Sequence, residues 1–289
     1  MYRGIFFNGN FTVLIIGAGG MLGYDLVSVL KKDCPVNYKY INDFDITRKD
    51  WCINTITSLK PEIVINSAAF THVDLCEKEK DRAFLVNAYG VENLAVACKE
   101  SDAFLISFST DYIFNGCKKE PYKEEDIPSP LNQYGLSKLK GERLIKDVFE
   151  NYLIIRTSWL YGNNGPNFVD SVLEQAKAKK VLNIVNDQKG SPTYTRHLSK
   201  AVKLLLGSNA RGILHITNTG SCTWYDFALK ILEFSGIKDV EVNPVTSKEL
   251  GRPAIRPEDS RLDNNMFYRL TGCNMPDWEK GLTEYLKNN

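Results

Sequence analysis

Residues 12–23 read TVLIIGAGGMLG, and this stretch decides the fold. A β-prone run, Thr12–Ile16, passes directly into Gly17-Ala18-Gly19-Gly20-Met21-Leu22-Gly23, and apolar residues then recur at helical spacing through Leu30. Strand, tight turn and helix in that order make a phosphate cradle. Glycine permits the sharp turn and a close backbone approach to a pyrophosphate, and the last glycine lets helix and strand pack closely. The first N–H groups of the helix add partial positive charge. Glycine triplets are common, and it is the strand–turn–helix context that gives this one meaning. Gly17, Gly20, Met21, Leu22 and Gly23 are therefore candidate cofactor-binding residues.

The same alternation continues along the chain. Strand-like runs fall at Tyr38–Ile41, Glu62–Asn66, Phe104–Phe108 and Tyr152–Arg156. Helix-like spacing fills the intervals: a helix capped by Thr47 and running toward Leu59, then Ala83–Cys98 and Tyr134–Phe149. Continuous apolar strands alternating with helices predict an α/β fold, a doubly wound parallel Rossmann-like sheet. Strands at Val181–Val185 and Gly212–Thr217 and helices at Tyr225–Phe234 and Trp278–Leu286 predict a smaller C-terminal substrate-binding lobe. The expected division is 12–160 for the dinucleotide and mainly 161–289 for the substrate, with some segments returning to the sheet. Asp45, after the second strand, stands at the distance from the glycines expected of a ribose contact, and it equally suits a helix start beside Ile46-Thr47. Lys39 and Arg48 are loose candidates for a 2′-phosphate, so NADPH and NADH both remain open.

Tyr134-Gly-Leu-Ser-Lys138 is Tyr-x-x-x-Lys at a helix start, which puts both side chains on one face. An ammonium beside the phenol is expected to lower the tyrosine pKa from about 10 toward working pH. Such a tyrosine exchanges a proton with an alcohol or ketone oxygen. Ser109-Thr110-Asp111 follows the fourth strand, at the carboxyl edge where open α/β sheets bind ligands. Thr110, Tyr134 and Lys138 are the candidate catalytic set for carbonyl reduction.

Composition excludes several alternatives. The 289-residue chain is 43% hydrophobic and 25% charged, with formal net charge +1, so nothing draws it to nucleic acid or to an anionic membrane. No apolar run reaches the ~20 residues of a bilayer span. Met1–Phe11 lacks the long apolar core of a signal peptide and reads as a short arm before the first strand. The seven cysteines form no Cys-x-x-Cys pair, and His72, His197 and His215 form no metal motif. Reduced thiols, a cytoplasmic location and no essential metal are expected.

These motifs together resemble the dTDP-4-dehydrorhamnose reductases, within the extended short-chain dehydrogenases/reductases, from Thr12 to about Leu286. The resemblance runs through GAGGMLG (17–23), DFDIT (43–47), NSAAFTHVDLCE (66–77), STDYIFNG (109–116), PYKEEDIPSPLNQYGLSKLKGE (121–142), RTSWLYG (156–162), DQKGSPTYT (187–195) and RPEDSRLD (256–263). It implies NAD(P)H-dependent reduction of the 4-keto group of dTDP-4-dehydro-L-rhamnose, with Tyr134 as general acid. It also implies cofactor or substrate contacts at Asp45, Ile46, Ala68, Ala69 and Thr71. By the same resemblance, Asp111, Tyr112 and Trp159 face the sugar and Arg256 and Arg261 meet the diphosphate. The substrate is then a dTDP- or UDP-linked 4-keto-6-deoxy sugar, and the enzyme a monomer or homodimer.

Two rivals share the pattern. A bifunctional UDP-sugar 3,5-epimerase/4-reductase needs a catalytic cysteine where this chain has Tyr112, with Cys117 nearby. A non-catalytic NADP-binding regulatory subunit, like that of methionine adenosyltransferase, lacks the tryptophan this chain has at Trp159. Both differences favour a simple reductase.

Overall fold

In this computed structural model residues 11–288 are described. Apart from Phe11, the expected N-terminal arm lies outside them. Six parallel strands form the main sheet: β1 (Val13–Ile16), β2 (Val36–Lys39), β3 (Ile63–Asn66), β4 (Phe104–Thr110), β5 (Tyr152–Thr157) and, far along the chain, Gly212–His215. Their spatial order is β2-β1-β3-β4-β5 and then Gly212–His215 at the edge. The chain leaves β1 toward one edge and returns to build β3 on its other side. The turn after β1 and the turn after β3 thus flank the crevice where connections diverge, the place where doubly wound sheets bind ligands.

The period-two alternation of β1 explains the layers. Val13 and Ile15 face one side with α1 (Met21–Leu30) and the later helix Thr195–Leu206. Leu14 and Ile16 face the other, against α2 (Lys49–Leu59) and the helices between β3 and β5. All four are fully buried, as expected of a strand covered on both faces. Two glycines make this packing possible. A Cβ on Gly23 would lie 2.2 Å from the Gly17 carbonyl oxygen, and one on Gly17, already at φ +81°, would lie 2.6 Å from the Ala68 nitrogen. Any side chain there would force α1 and the β3 turn away from β1.

Several sequence expectations are corrected. The second strand begins two residues early and ends at Lys39, because it pairs residue for residue with Val13–Ile16 and its last partner is the residue before the Gly17 turn. Thr47 does not cap α2: Asp45 Oδ1 accepts hydrogen bonds from both the Thr47 N–H (2.9 Å) and its hydroxyl (2.8 Å), and the helix starts at Lys49. The single helix expected over Ala83–Cys98 is composite. After α3 (Val73–Lys78), α4 (Lys80–Phe84) widens into a π turn at Leu85–Gly90 and resumes as α5 (Val91–Glu100).

Beyond β4 come α6 (Gln133–Val148) and β5, then the short strand β6 (Leu160–Tyr161) and α7 (Phe168–Ala178). Next are β7 (Val181–Val185), the two-residue strands β8 (Lys189–Gly190) and β9 (Thr193–Tyr194), and α8 (Thr195–Leu206). The sixth sheet strand, Gly212–His215, is β10, and it is followed by β11 (Cys222–Thr223), α9 (Trp224–Phe234) and β12 (Glu241–Val245). The chain ends through α10 (Ser247–Leu250), α11 (Asn265–Thr271) and α12 (Trp278–Lys287). Val169, Val172, Leu182, Ile184, Phe227, Ile231, Leu282 and Tyr285 form a separate core beside the sheet's carboxyl edge.

Candidate active site

A cleft of about 920 Å³ opens where that second core meets the sheet edge. Its floor begins at Gly19, Gly20, Met21 and Leu22, at the start of α1. Gly20 occupies the cap position with no side chain to bond the first N–H groups, and the first turn holds no acidic residue. Those donors and the helix dipole suit an anion. The wall continues through Ser67, Ala68, Ala69 and Thr71 after β3. Asn87, in the π turn, holds that segment: it accepts from the Phe70 N–H (2.8 Å) and donates to the Phe70 carbonyl (2.9 Å) and to Ser137 Oγ on α6 (3.0 Å). A π turn beside a working site is a recurrent device.

Thr110, Asp111, Tyr112, Tyr134 and Lys138 all line the cleft. Asn132 caps α6 by accepting the Gly135 N–H at 2.8 Å, which sets Tyr134 in the first turn and Lys138 one turn later. Tyr134 lies edge-on to Tyr112, ring centroids 6.1 Å apart. Burial raises the Tyr134 phenol pKa, and a hydrogen bond with Thr110 opposes this only in part. The expectation that Lys138 would lower it is therefore corrected. Lys138 is itself buried, donates to the Phe108 carbonyl at 2.6 Å, and is pushed down to about 8 by desolvation, with Glu142 opposing. Asp111 is pushed up to about 7 by burial, against hydrogen bonds from Ser260 and Thr110. Thr110 Oγ1 accepts from the Tyr112 N–H at 3.2 Å and bonds Asp111 Oδ1 at 3.0 Å.

Three buried polar atoms on this wall have no hydrogen-bond partner: Ser109 Oγ, Thr157 Oγ1 and Trp159 Nε1. Buried orphans are rare in folded proteins, and their gathering in one cleft marks it as built for a polar ligand. The residues present fit a dinucleotide and a second, sugar-bearing ligand side by side.

The expected site residues do not all meet there. Gly17 and Gly23 act behind the wall, through packing. Asp45 and Ile46 are not on the wall; Ile46 is buried in the sheet's second core. Trp159 and Arg256 line the cleft. Arg256 is bidentate to Asp74 at 2.8 Å twice, a pairing the sequence reading missed. Arg261 does not reach the wall: it is forked onto Asp259 and donates to the Lys119 carbonyl. In its place Arg252, also missed, lines the rim. Trp224, Phe168 and Gln188 were missed too, because nothing in their local sequence shows that the second core points them back at the sheet. Cys117 is exposed and absent from the wall. Among the described residues no group of three or more His, Cys, Asp or Glu side chains is placed to hold a metal ion.

Known proteins with this arrangement were found by sequence and by structure. The family model described as the RmlD substrate binding domain matches residues 11–289. The chain belongs to this family. It is 42% identical to the spore coat polysaccharide biosynthesis protein SpsK of Bacillus subtilis, over 95% of this chain and 96% of that protein. It is 38% identical to the dTDP-4-dehydrorhamnose reductase of Aggregatibacter actinomycetemcomitans, over 93% and 96%. The crystal structure of the dTDP-4-dehydrorhamnose reductase of Bacillus anthracis in complex with NADP superposes with a TM-score of 0.94 at 39% identity, covering 97% of this chain and all of that one.

Proposed function

We propose that this chain reduces the 4-keto group of dTDP-4-dehydro-L-rhamnose to dTDP-L-rhamnose, in the cytoplasm, with NADPH or NADH. The single observation carrying this is the meeting of a half-buried Tyr134, hydrogen-bonded to Thr110 and one helical turn from Lys138, with the glycine turn of α1 on one cleft wall. The activity of the Aggregatibacter and Bacillus anthracis relatives supports it, as does the NADP held by the latter.

The nicotinamide, when bound, supplies the hydride. The N-terminus of α1 takes the pyrophosphate, while Ala68, Ala69 and Thr71 bound the cofactor from β3. Asp45 and Ile46 lie toward the adenosine end. Thr110 and Tyr134 hold the ketone oxygen. Tyr134 keeps its proton until that oxygen gains alkoxide character and becomes the stronger base, then delivers it. Lys138, ionised below about 8, stabilises the resulting phenolate and holds the nicotinamide ribose. Asp111, Tyr112 and Trp159 face the sugar, and Arg256 the diphosphate. Residues 12–160 carry mainly the dinucleotide and 161–289 mainly the sugar nucleotide, with α8 and β10 returning to the sheet.

Steady-state kinetics with dTDP- and UDP-linked 4-keto-6-deoxy sugars, each with NADPH and NADH, test the reading. Turnover is expected with the dTDP sugar. Tight cofactor binding without turnover of any ketosugar would replace it with a regulatory role. Solvent-proton exchange at sugar C3 or C5 would replace it with the bifunctional one.

A further inference from the structure

We propose that Trp224 is a positioning residue for the sugar nucleotide: it fixes the ring of Trp159, whose indole N–H has no hydrogen-bond partner. This deepens the reductase reading and rests on it.

Trp159 follows β5 with φ +47°, a left-handed conformation that a bulky side chain adopts only when its surroundings enforce it. Its indole Nε1 is buried with no hydrogen-bond partner, so packing alone holds the ring. That packing has two parts. Against one face of the indole the backbone of Gly190 comes so near that a Cβ there would lie 2.4 Å from Trp159 Cε2 and 2.7 Å from its Nε1 and Cζ2. Over the other face lies Trp224, centroids 3.5 Å apart and planes within 6° of parallel.

Trp224, by contrast, is anchored. It is the first residue of α9, behind a reciprocal cap between Thr223 and Asp226. Its Nε1 donates to Gln188 Oε1 at 3.2 Å, and Gln188 Nε2 donates to Ser247 Oγ at 2.7 Å. Asp187 in turn accepts from the Ser247 N–H (2.8 Å) and hydroxyl (2.6 Å). Phe168 of α7 braces the other side of Trp224, with centroids 4.6 Å apart. The anchored ring therefore stands on the second core and the unanchored one on the sheet. Trp159, Trp224, Phe168 and Gln188 all line the cleft.

Held between the Gly190 backbone and Trp224, the Trp159 ring presents its remaining edge to the cleft it lines. An apolar ring edge held at a fixed place fits the C–H groups of a deoxysugar. The stack thus fixes the sugar-facing wall from a point that touches neither Tyr134 nor the glycine turn. Loss of Trp224 should weaken sugar-nucleotide recognition and spare both cofactor binding and proton delivery.

The test compares Trp224→Ala and Trp224→Phe with wild type, and uses Trp159→Phe as a spectroscopic control. Two stacked indoles give a far-ultraviolet exciton couplet in circular dichroism, expected in wild type and lost in all three variants. Trp224→Ala should raise the sugar-nucleotide KM by about tenfold, with kcat and cofactor KM changing less than about threefold, and Trp224→Phe should recover most of the loss. In Trp224→Ala, a lost couplet with unchanged sugar KM overturns the proposal. So does a wild type without the couplet, or a parallel decline of sugar KM, cofactor KM and kcat, which general loosening would give. If wild type fails to reduce any dTDP ketosugar, the reductase reading falls by itself. The Trp224 role is then read from calorimetric dissociation constants for dTDP-L-rhamnose, where an equal affinity in wild type and Trp224→Ala overturns it.

Discussion

Glu142→Gln is the perturbation whose consequences the structure specifies most fully. Glu142 lies on α6 one turn beyond Lys138, 3% exposed, and Arg156 on β5 is 2% exposed. They form a two-pronged pair, Nε to Oε1 at 3.0 Å and Nη2 to Oε2 at 2.7 Å. Glutamine keeps the volume and removes the charge, so no cavity confuses the result. Arg156 is then left as a buried cation whose other neighbours are the Phe114 ring, the Glu124 carbonyl and the His215 ring. Removing one partner of a buried ion pair costs about 3–5 kcal/mol. Folded chains hold only about 5–15 kcal/mol in total, so urea and thermal unfolding should show a large loss, roughly 10 °C in Tm. The double variant with Arg156→Gln should recover part of it, because no unpaired charge remains. Catalysis should respond in a definite direction as well. Glu142 is the charge that opposes the downward shift of Lys138, so its removal takes the ammonium pKa further below about 8. The basic limb of the kcat/KM profile should move to lower pH. A single variant with stability within 1 kcal/mol of wild type and an unmoved basic limb would refute this view of the network.

Three further outcomes follow from the same geometry. Tyr134→Phe should lower kcat by about 10²–10⁴-fold while cofactor affinity, measured by fluorescence titration, stays near wild type; near-normal turnover would remove Tyr134 from proton transfer. Arg256→Ala should raise the sugar-nucleotide KM and Arg261→Ala should not, since Arg256 lines the cleft and Arg261 does not; equal effects in steady-state assays would contradict the placement of these two residues. Burial and the Arg156 charge push His215 down to about 3, below its unfolded value near 6.5, so the unfolded chain binds the extra proton between those values. Stability should therefore fall as pH drops through that window, and urea midpoints that stay flat across it would show that His215 is not held neutral.

The sheet was legible because its information is local. TVLII, EIVIN and FLISF are continuous apolar runs that only a doubly covered strand would bury, and the glycines after the first run announce the turn. Tyr134, Lys138 and Thr110 were legible for a related reason: each sits at a fixed offset from a strand or helix end. What escaped depends on contacts distant in sequence. Helices α7, α8 and α11 lie in a region broken by glycine and proline, and β12 carries Pro244, which local rules read as an interruption. Pairing with β7 along one edge tolerates it. Arg261 was misplaced because its nearest acid, Asp259, captures it two residues away. The direction of the Tyr134 shift is not legible because sequence gives the spacing to Lys138 and says nothing of the desolvation each group meets in the fold.

The most direct test follows the hydrogen itself. Wild-type protein is supplied with dTDP-4-dehydro-L-rhamnose and nicotinamide cofactor carrying deuterium at the transferable position, and the product is read by NMR. Deuterium bound to C4 of dTDP-L-rhamnose is the expected result. Cofactor oxidation with no deuterium at C4, or no conversion of the ketosugar, would contradict the meeting of phenol, hydroxyl and ammonium at a reducible carbonyl.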